Sequence, residues 1–128
     1  MKNLTTAFLT AREAIKYFNL NGPGSLTLTS STLANSPSPE HFKTHAYAAS
    51  KGAINTLVIT LASSYLDKKI RVNAVLPGVV NTPMTQNLFT QISAENVEQI
   101  KAMHPLGIGE VSDVVPTIEF LISAKSRW

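Results

Sequence analysis

Two short runs in this chain read as β-strand, and the length of chain between them dictates how they pair. Ser25-Leu26-Thr27-Leu28-Thr29 alternates polar and apolar residues, and Ile70-Arg71-Val72-Asn73-Ala74-Val75-Leu76 forms a second strand-like run. The segment from about Ala46 to Leu66 lies between them and reads as a long helix. A strand, a helical crossover and a second strand imply parallel pairing, because only a tight hairpin joins antiparallel neighbours directly. Two strands leave both sheet edges open, and an isolated two-stranded sheet is marginal in water. The chain is therefore expected to be α/β and to form part of a larger doubly wound parallel sheet, incomplete as a stand-alone sheet.

The remaining segments fit that plan. Leu4, Ala7, Phe8, Ala11, Ala14, Ile15 and Phe18 fall on one stripe of a helix over 4–18, and Asn19 to Gly24 stops it with turn-forming residues. The stretch 32–45, rich in Ser, Pro and Asn, reads as a loop. The helix over 46–66 is apolar on more than one face, through Ala46, Ala49, Ala53, Leu57 and Leu61 and through Ile54, Val58 and Ala62, which predicts wide burial or a subunit interface. Val79 to Gln91 reads as a loop or lid, and Glu95 to Met103 as a short helix broken by His104-Pro105-Leu106-Gly107. A last helix over 113–123 is expected to bury Val114, Val115, Ile118, Leu121 and Ile122, with Pro116 near its first turn.

Composition narrows the functional classes. With 128 residues the chain suits one domain, and with no cysteine it has neither a disulfide framework nor a thiolate nucleophile or ligand. That usage fits a reducing cytoplasm. No apolar run approaches the ~20 residues of a membrane span, and Met1-Lys2-Asn3 leads into a polar-interrupted amphipathic segment, which predicts no secretory leader. The net charge of +3 is scattered; Lys68, Lys69 and Arg71 form the one basic cluster, lack interleaved aromatics and read as a solvated turn, so no nucleic-acid partner is expected. His41 and His45 stand four apart, yet no metal site is expected, since Pro39 suggests loop and Glu40 is the only carboxylate nearby. His104, before Pro105, reads as a loop residue, and Met84 and Phe89 read as either lid or plain packing.

The chemistry concentrates around Tyr47-Ala48-Ala49-Ser50-Lys51. At that spacing a phenol and an ammonium lie one turn apart on the same helical face. A free phenol, with a pKa of ~10, is a poor base at neutral pH, and a nearby cation favours its ionised form. Alone, the pattern is weak, and an ordinary surface Tyr and Lys is the simpler reading. In context, Ser30-Ser31 close one parallel strand and Pro77-Gly78 the other, and ligands of open α/β sheets gather beyond the carboxyl ends of strands.

These stretches together resemble the C-terminal half of a short-chain dehydrogenase/reductase. Asn3-Leu4-Thr5-Thr6-Ala7-Phe8-Leu9, Gly24 to Ser31, Tyr47 to Ala53, Ile70 to Gly78 and Val80-Asn81-Thr82-Pro83-Met84 occur in the family's order and cover nearly the whole chain. The resemblance implies half of a Rossmann-type sheet and hydride transfer between a nicotinamide cofactor, NAD or NADP, and a small alcohol or carbonyl substrate. It implies that Tyr47 is the general acid/base, that Lys51 lowers the Tyr47 pKa and meets the nicotinamide ribose, and that Ser31 polarises the substrate carbonyl. Asn3 would position a water linking Lys51 to solvent, and Pro77, Gly78, Val80 and Thr82 would form the turn that meets the nicotinamide. It further implies homo-oligomers built through the helices 4–18 and 46–66.

The departures carry their own expectations. No Gly-x-x-x-Gly-x-Gly or Gly-x-Gly-x-x-Gly phosphate turn occurs, nor an Asn-Asn-Ala-Gly stretch, and the family's last strand has no counterpart before Trp128. Residues 1–128 are thus expected to be a partial domain that lacks the N-terminal dinucleotide-binding half, and to bind a dinucleotide weakly alone. A catalytically idle remnant, or an oligomerisation module, is the alternative to an enzyme.

Overall fold

In the computed structural model, which describes residues 2–36, 42 and 44–127, helix α1 (Lys2–Asn21) leads into strand β1 (Ser25–Thr29). Helix α2 (His45–Ser64) crosses to strand β2 (Arg71–Val75), and helices α3 (Pro83–Gln91), α4 (Ala94–Ala102) and α5 (Val111–Ile122) follow. The strands pair in parallel, Leu26 with Val72 and Leu28 with Ala74, as the long crossover requires.

Each boundary has a local cause. Past the end of α1, Gly22 takes φ +104° and its N–H donates to the Phe18 carbonyl at 2.8 Å, a left-handed cap that suits glycine. Gly24 then passes so close to the Phe18 ring that any Cβ there would collide with it. Thr82 caps α3 by accepting the Thr85 N–H at 3.3 Å, with Pro83 in the first turn. Ser93 caps α4 through the Asn96 N–H at 3.2 Å. At α5 the Glu110 N–H donates to the Asp113 carboxylate at 2.7 Å, which sets the helix start.

Layering follows from strand alternation. Leu26, Leu28 and Val72 point to one face and pack with Ala11 and Ile15 of α1 and Ile54 and Val58 of α2, while Ile70 joins them from just before β2. Helix α5 covers the opposite face, where Ser25 and Arg71 reach it. The result is three layers around a narrow sheet.

Four expectations need correction. Residues 83–91 of the anticipated loop are helical, because Thr82 and Pro83 together nucleate a turn. Helix α5 begins at Val111, so Pro116 sits inside it, beyond the first turn. None of the α5 residues is fully buried, and Val115 and Ile122 are 40% and 53% exposed, since a two-stranded sheet covers only one stripe of the helix. Arg71 does not belong to a solvated turn. It is half-buried in β2, and its guanidinium donates to the Leu121 and Ser123 carbonyls at 2.7 and 3.0 Å, at the negative end of α5.

Candidate functional site

The carboxyl ends of both strands run on, still tied together. The Ser30 N–H donates to the Val75 carbonyl at 2.8 Å and the Thr32 N–H to the Pro77 carbonyl at 3.1 Å. This brings Ser31 alongside the Pro77-Gly78 turn. Helix α2 is fastened to the same edge by a reciprocal pair: Ser30 Oγ donates to the Lys51 carbonyl at 2.9 Å, and Lys51 Nζ donates to the Thr29 carbonyl at 2.8 Å. The Lys51 ammonium lies 5.6 Å from the centre of the Tyr47 ring. Burial pushes the Lys51 pKa below its ordinary value, because desolvation penalises the charged form.

A cleft of about 490 Å³ opens at this edge. Ser31, Tyr47, Lys51, Pro77, Gly78, Val80 and Thr82 all line it, so one site gathers residues from β1, α2 and the segment after β2. Asn3 is exposed in the first turn of α1 and is not among the residues lining the cleft. Ser31 Oγ accepts the Leu33 N–H at 3.2 Å and caps a short 3-10 turn, which holds the oxygen while leaving its proton available to a ligand.

The turn after β2 is braced from two sides. Thr85, buried, donates its hydroxyl proton to the Val80 carbonyl at 2.6 Å, so Thr82 is the donor in the 3.2 Å pair between the two threonine hydroxyls. Sequence reasoning missed Thr85; the Thr82-Pro83 helix start is the signal that points to it. His104 was missed as well. Its Nδ1 meets the Ile100 carbonyl at 2.8 Å and its Nε2 accepts the Val79 N–H at 3.4 Å, a pattern that requires the Nδ1–H tautomer. The ring thereby ties the end of α4 to the turn lining the cleft. Among the described residues, the cleft has an apolar wall of Leu33, Phe42, Met84, Leu88 and Met103. Phe89 does not line it, and His41 lies outside the described residues.

A family profile described as enoyl-(acyl carrier protein) reductase, one of the short-chain dehydrogenase/reductases, matches residues 1–128. The chain belongs to the short-chain dehydrogenase/reductase family. Within it, the chain is 35% identical over 127 residues to the chloroplastic NADPH-dependent aldehyde reductase 2 of Arabidopsis thaliana, an alignment covering 98% of this chain and 44% of that protein. It is likewise 35% identical over 131 residues to the glucose 1-dehydrogenase of Gluconobacter oxydans, covering 98% of this chain and 46% of that enzyme. Among solved structures, a 4-hydroxyisoleucine dehydrogenase mutant complexed with NADH and succinate superposes with a TM-score of 0.86 at 31% identity, covering 98% of this chain and 51% of the other. The chain thus spans about half the length of the family members it matches. The fold is the corresponding portion of the family's Rossmann-type sheet. Among the described residues, no helix is long and apolar enough to cross a membrane.

Proposed function

We propose that this chain carries the proton-transfer half of an NAD(P)-dependent oxidoreductase acting on an alcohol or carbonyl compound. The observation that carries the reading is the convergence of Ser31, Tyr47 and Lys51 on one cleft with the Pro77–Thr82 turn at the carboxyl ends of two parallel strands. A nicotinamide bound at that turn would supply or accept the hydride. The residues present fit its nicotinamide end: the Gly78 and Val80 N–H groups have no hydrogen-bond partner among the described residues and are suited to an amide oxygen. The Lys51 ammonium spends one of its donors on Thr29, which leaves others for a ribose hydroxyl.

In the direction of reduction, Ser31 donates a hydrogen bond to the substrate carbonyl and Tyr47 gives its hydroxyl proton to the same oxygen. The Lys51 ammonium lies 5.6 Å from the centre of the ring that gives up this proton. Oxidation reverses these steps. Asn3, which does not line the cleft, would act by positioning a water that links Lys51 to solvent. Relatives are named for aldehydes and for glucose, carbonyl and alcohol compounds of the class proposed here.

In a full-length enzyme carrying these residues, Tyr47→Phe tests the assignment at saturating NAD(P)H with a ketone substrate. Loss of a general acid lowers turnover by about 10²–10⁴-fold, while calorimetric dinucleotide affinity stays unchanged. Wild-type turnover in the variant would overturn the role of Tyr47.

A second observation bears on the oligomer. Between α1 and α2 runs a groove of about 390 Å³ floored by Ile15, Leu57 and Leu61, with Phe8 at its side 52% exposed. Apolar surface of this kind on a helix pair favours self-association through α1 and α2, as an oligomerisation module would also use it. Light scattering over a dilution series of the wild type and Phe8→Lys tests this; an equally monomeric pair would refute it.

A further inference from the structure

We infer that the cleft is built for an uncharged, largely apolar carbonyl compound or alcohol, and not for a sugar, a carboxylate or a phosphate ester. This inference rests on the oxidoreductase reading and narrows its substrate. Its warrant is the way hydrogen-bonding capacity is distributed over the lining.

The polar groups of the cleft are largely committed within the protein. The hydroxyl of Ser30 goes to the Lys51 carbonyl, that of Thr85 to the Val80 carbonyl, and that of Thr32 leans on the Pro77 carbonyl at 3.4 Å. Thr82 is bound up with Thr85. Both ring nitrogens of His104 have backbone partners, and the Lys51 ammonium gives one of its three donors to the Thr29 carbonyl. The Gly78 and Val80 N–H groups and the remaining Lys51 donors go to the nicotinamide and its ribose in the reading above, so that, Thr29 and Thr44 apart, the hydroxyls of Ser31 and Tyr47 are left for the substrate and together match a single reacting oxygen. Among the described lining residues there is no carboxylate, guanidinium or side-chain amide to receive further substrate hydroxyls or an anion.

The wall opposite is apolar and open. Met84, Leu88 and Met103 are 75%, 36% and 44% exposed, so a ligand lying across them removes apolar surface from water. Two of the three are unbranched thioethers, which adapt to ligands of differing shape. A charged or polyhydroxylated ligand against the same wall would lose hydration without gaining partners. Each methylene placed there is worth about a fourfold gain in affinity.

The test uses the whole chain with ¹³C-methyl-labelled methionine and NADH or NADPH present, so that the donors assigned to the nicotinamide are occupied, and follows the Met84 and Met103 methyl signals by NMR. Their assignment comes from Met84→Leu and Met103→Leu. Titration with 1-butanol, 1-hexanol and 1-octanol is expected to shift both signals, with the dissociation constant falling about 16-fold for each two methylenes. Hexanoate and glucose are expected to bind about tenfold or more weakly than 1-hexanol. Binding of hexanoate or glucose as tight as that of 1-hexanol, or affinity independent of alcohol length, would overturn the inference. Reduction of 2-hexanone by NAD(P)H separately measures the reading underneath. Length-dependent binding without turnover, at an NAD(P)H concentration that calorimetry shows to fill the chain, would uphold the apolar cleft and overturn the oxidoreductase assignment. Turnover confined to keto acids or sugars would overturn the cleft inference and leave that assignment standing.

Discussion

Arg71 clamps the end of α5 to the sheet. Its guanidinium donates to the Leu121 carbonyl at 2.7 Å, to Ser126 Oγ at 3.1 Å and to the Ser123 carbonyl at 3.0 Å. The carbonyls belong to the last turn of α5, where intrahelical donors run out and the dipole favours a cation. Arg71→Met keeps most of the stem and deletes all three bonds. Hydrogen bonds to a charged donor contribute about 1.5–3 kcal/mol each, but the losses here overlap. The Leu121 carbonyl retains the Ser25 hydroxyl at 2.8 Å, and the Ser123 carbonyl retains the Ser126 N–H at 3.3 Å. The net cost is therefore nearer that of one such bond plus a share of the dipole, about 2–3 kcal/mol. Ser25→Ala alone removes one neutral bond, about 1 kcal/mol. In the double variant the Leu121 carbonyl loses both side-chain donors, so the combined loss should exceed the sum. Urea unfolding of the four proteins supplies the cycle, and amide hydrogen exchange should show α5 losing protection first. A loss under about 0.5 kcal/mol for Arg71→Met, with α5 protection unchanged, would refute the clamp.

Thr27 Oγ1 is buried without a partner, so Thr27→Val should stabilise the chain by about 1 kcal/mol in urea unfolding. Gly24→Ala drives a methyl into the Phe18 ring and should destabilise by about 1–3 kcal/mol, a loss that Phe18→Leu in the same chain should partly relieve. Lys51 has a folded-state pKa pushed down by burial, so below the ordinary lysine range the unfolded chain holds the proton more tightly and stability contributed by this residue rises as pH is raised toward that range. Lys51→Met should flatten that rise in unfolding curves taken across alkaline pH, and a slope unchanged by the substitution would contradict the assignment.

How much of this was legible in the sequence depends on the range of the interaction. Both strands, the crossover and the helix carrying Tyr47 and Lys51 follow from periodicities of two and 3.6 that each segment holds within itself, and the structure shifts their ends by one or two residues. Helix α3 was equally local, yet its polar sequence, Pro83-Met84-Thr85-Gln86-Asn87, carries little apolar rhythm, and only the Thr82-Pro83 start marks it. Ser31 was readable as the residue closing a strand. That its oxygen would be fixed by Leu33, or that Thr85 would steer the Val80 carbonyl, was not.

By itself, then, the sequence pointed to the parallel pairing and the phenol–ammonium pair one helical turn apart, because a helical crossover favours the first and a four-residue spacing on a helix sets the second. Tertiary structure alone decided that Arg71 reaches across 50 residues to hold the end of α5, and that His104 reaches back 25 residues to the turn after β2. It also decided that α5 keeps much of its apolar surface exposed. Each of these depends on which faces the layers bring together and how wide the sheet beneath them is, and no single segment carries that information.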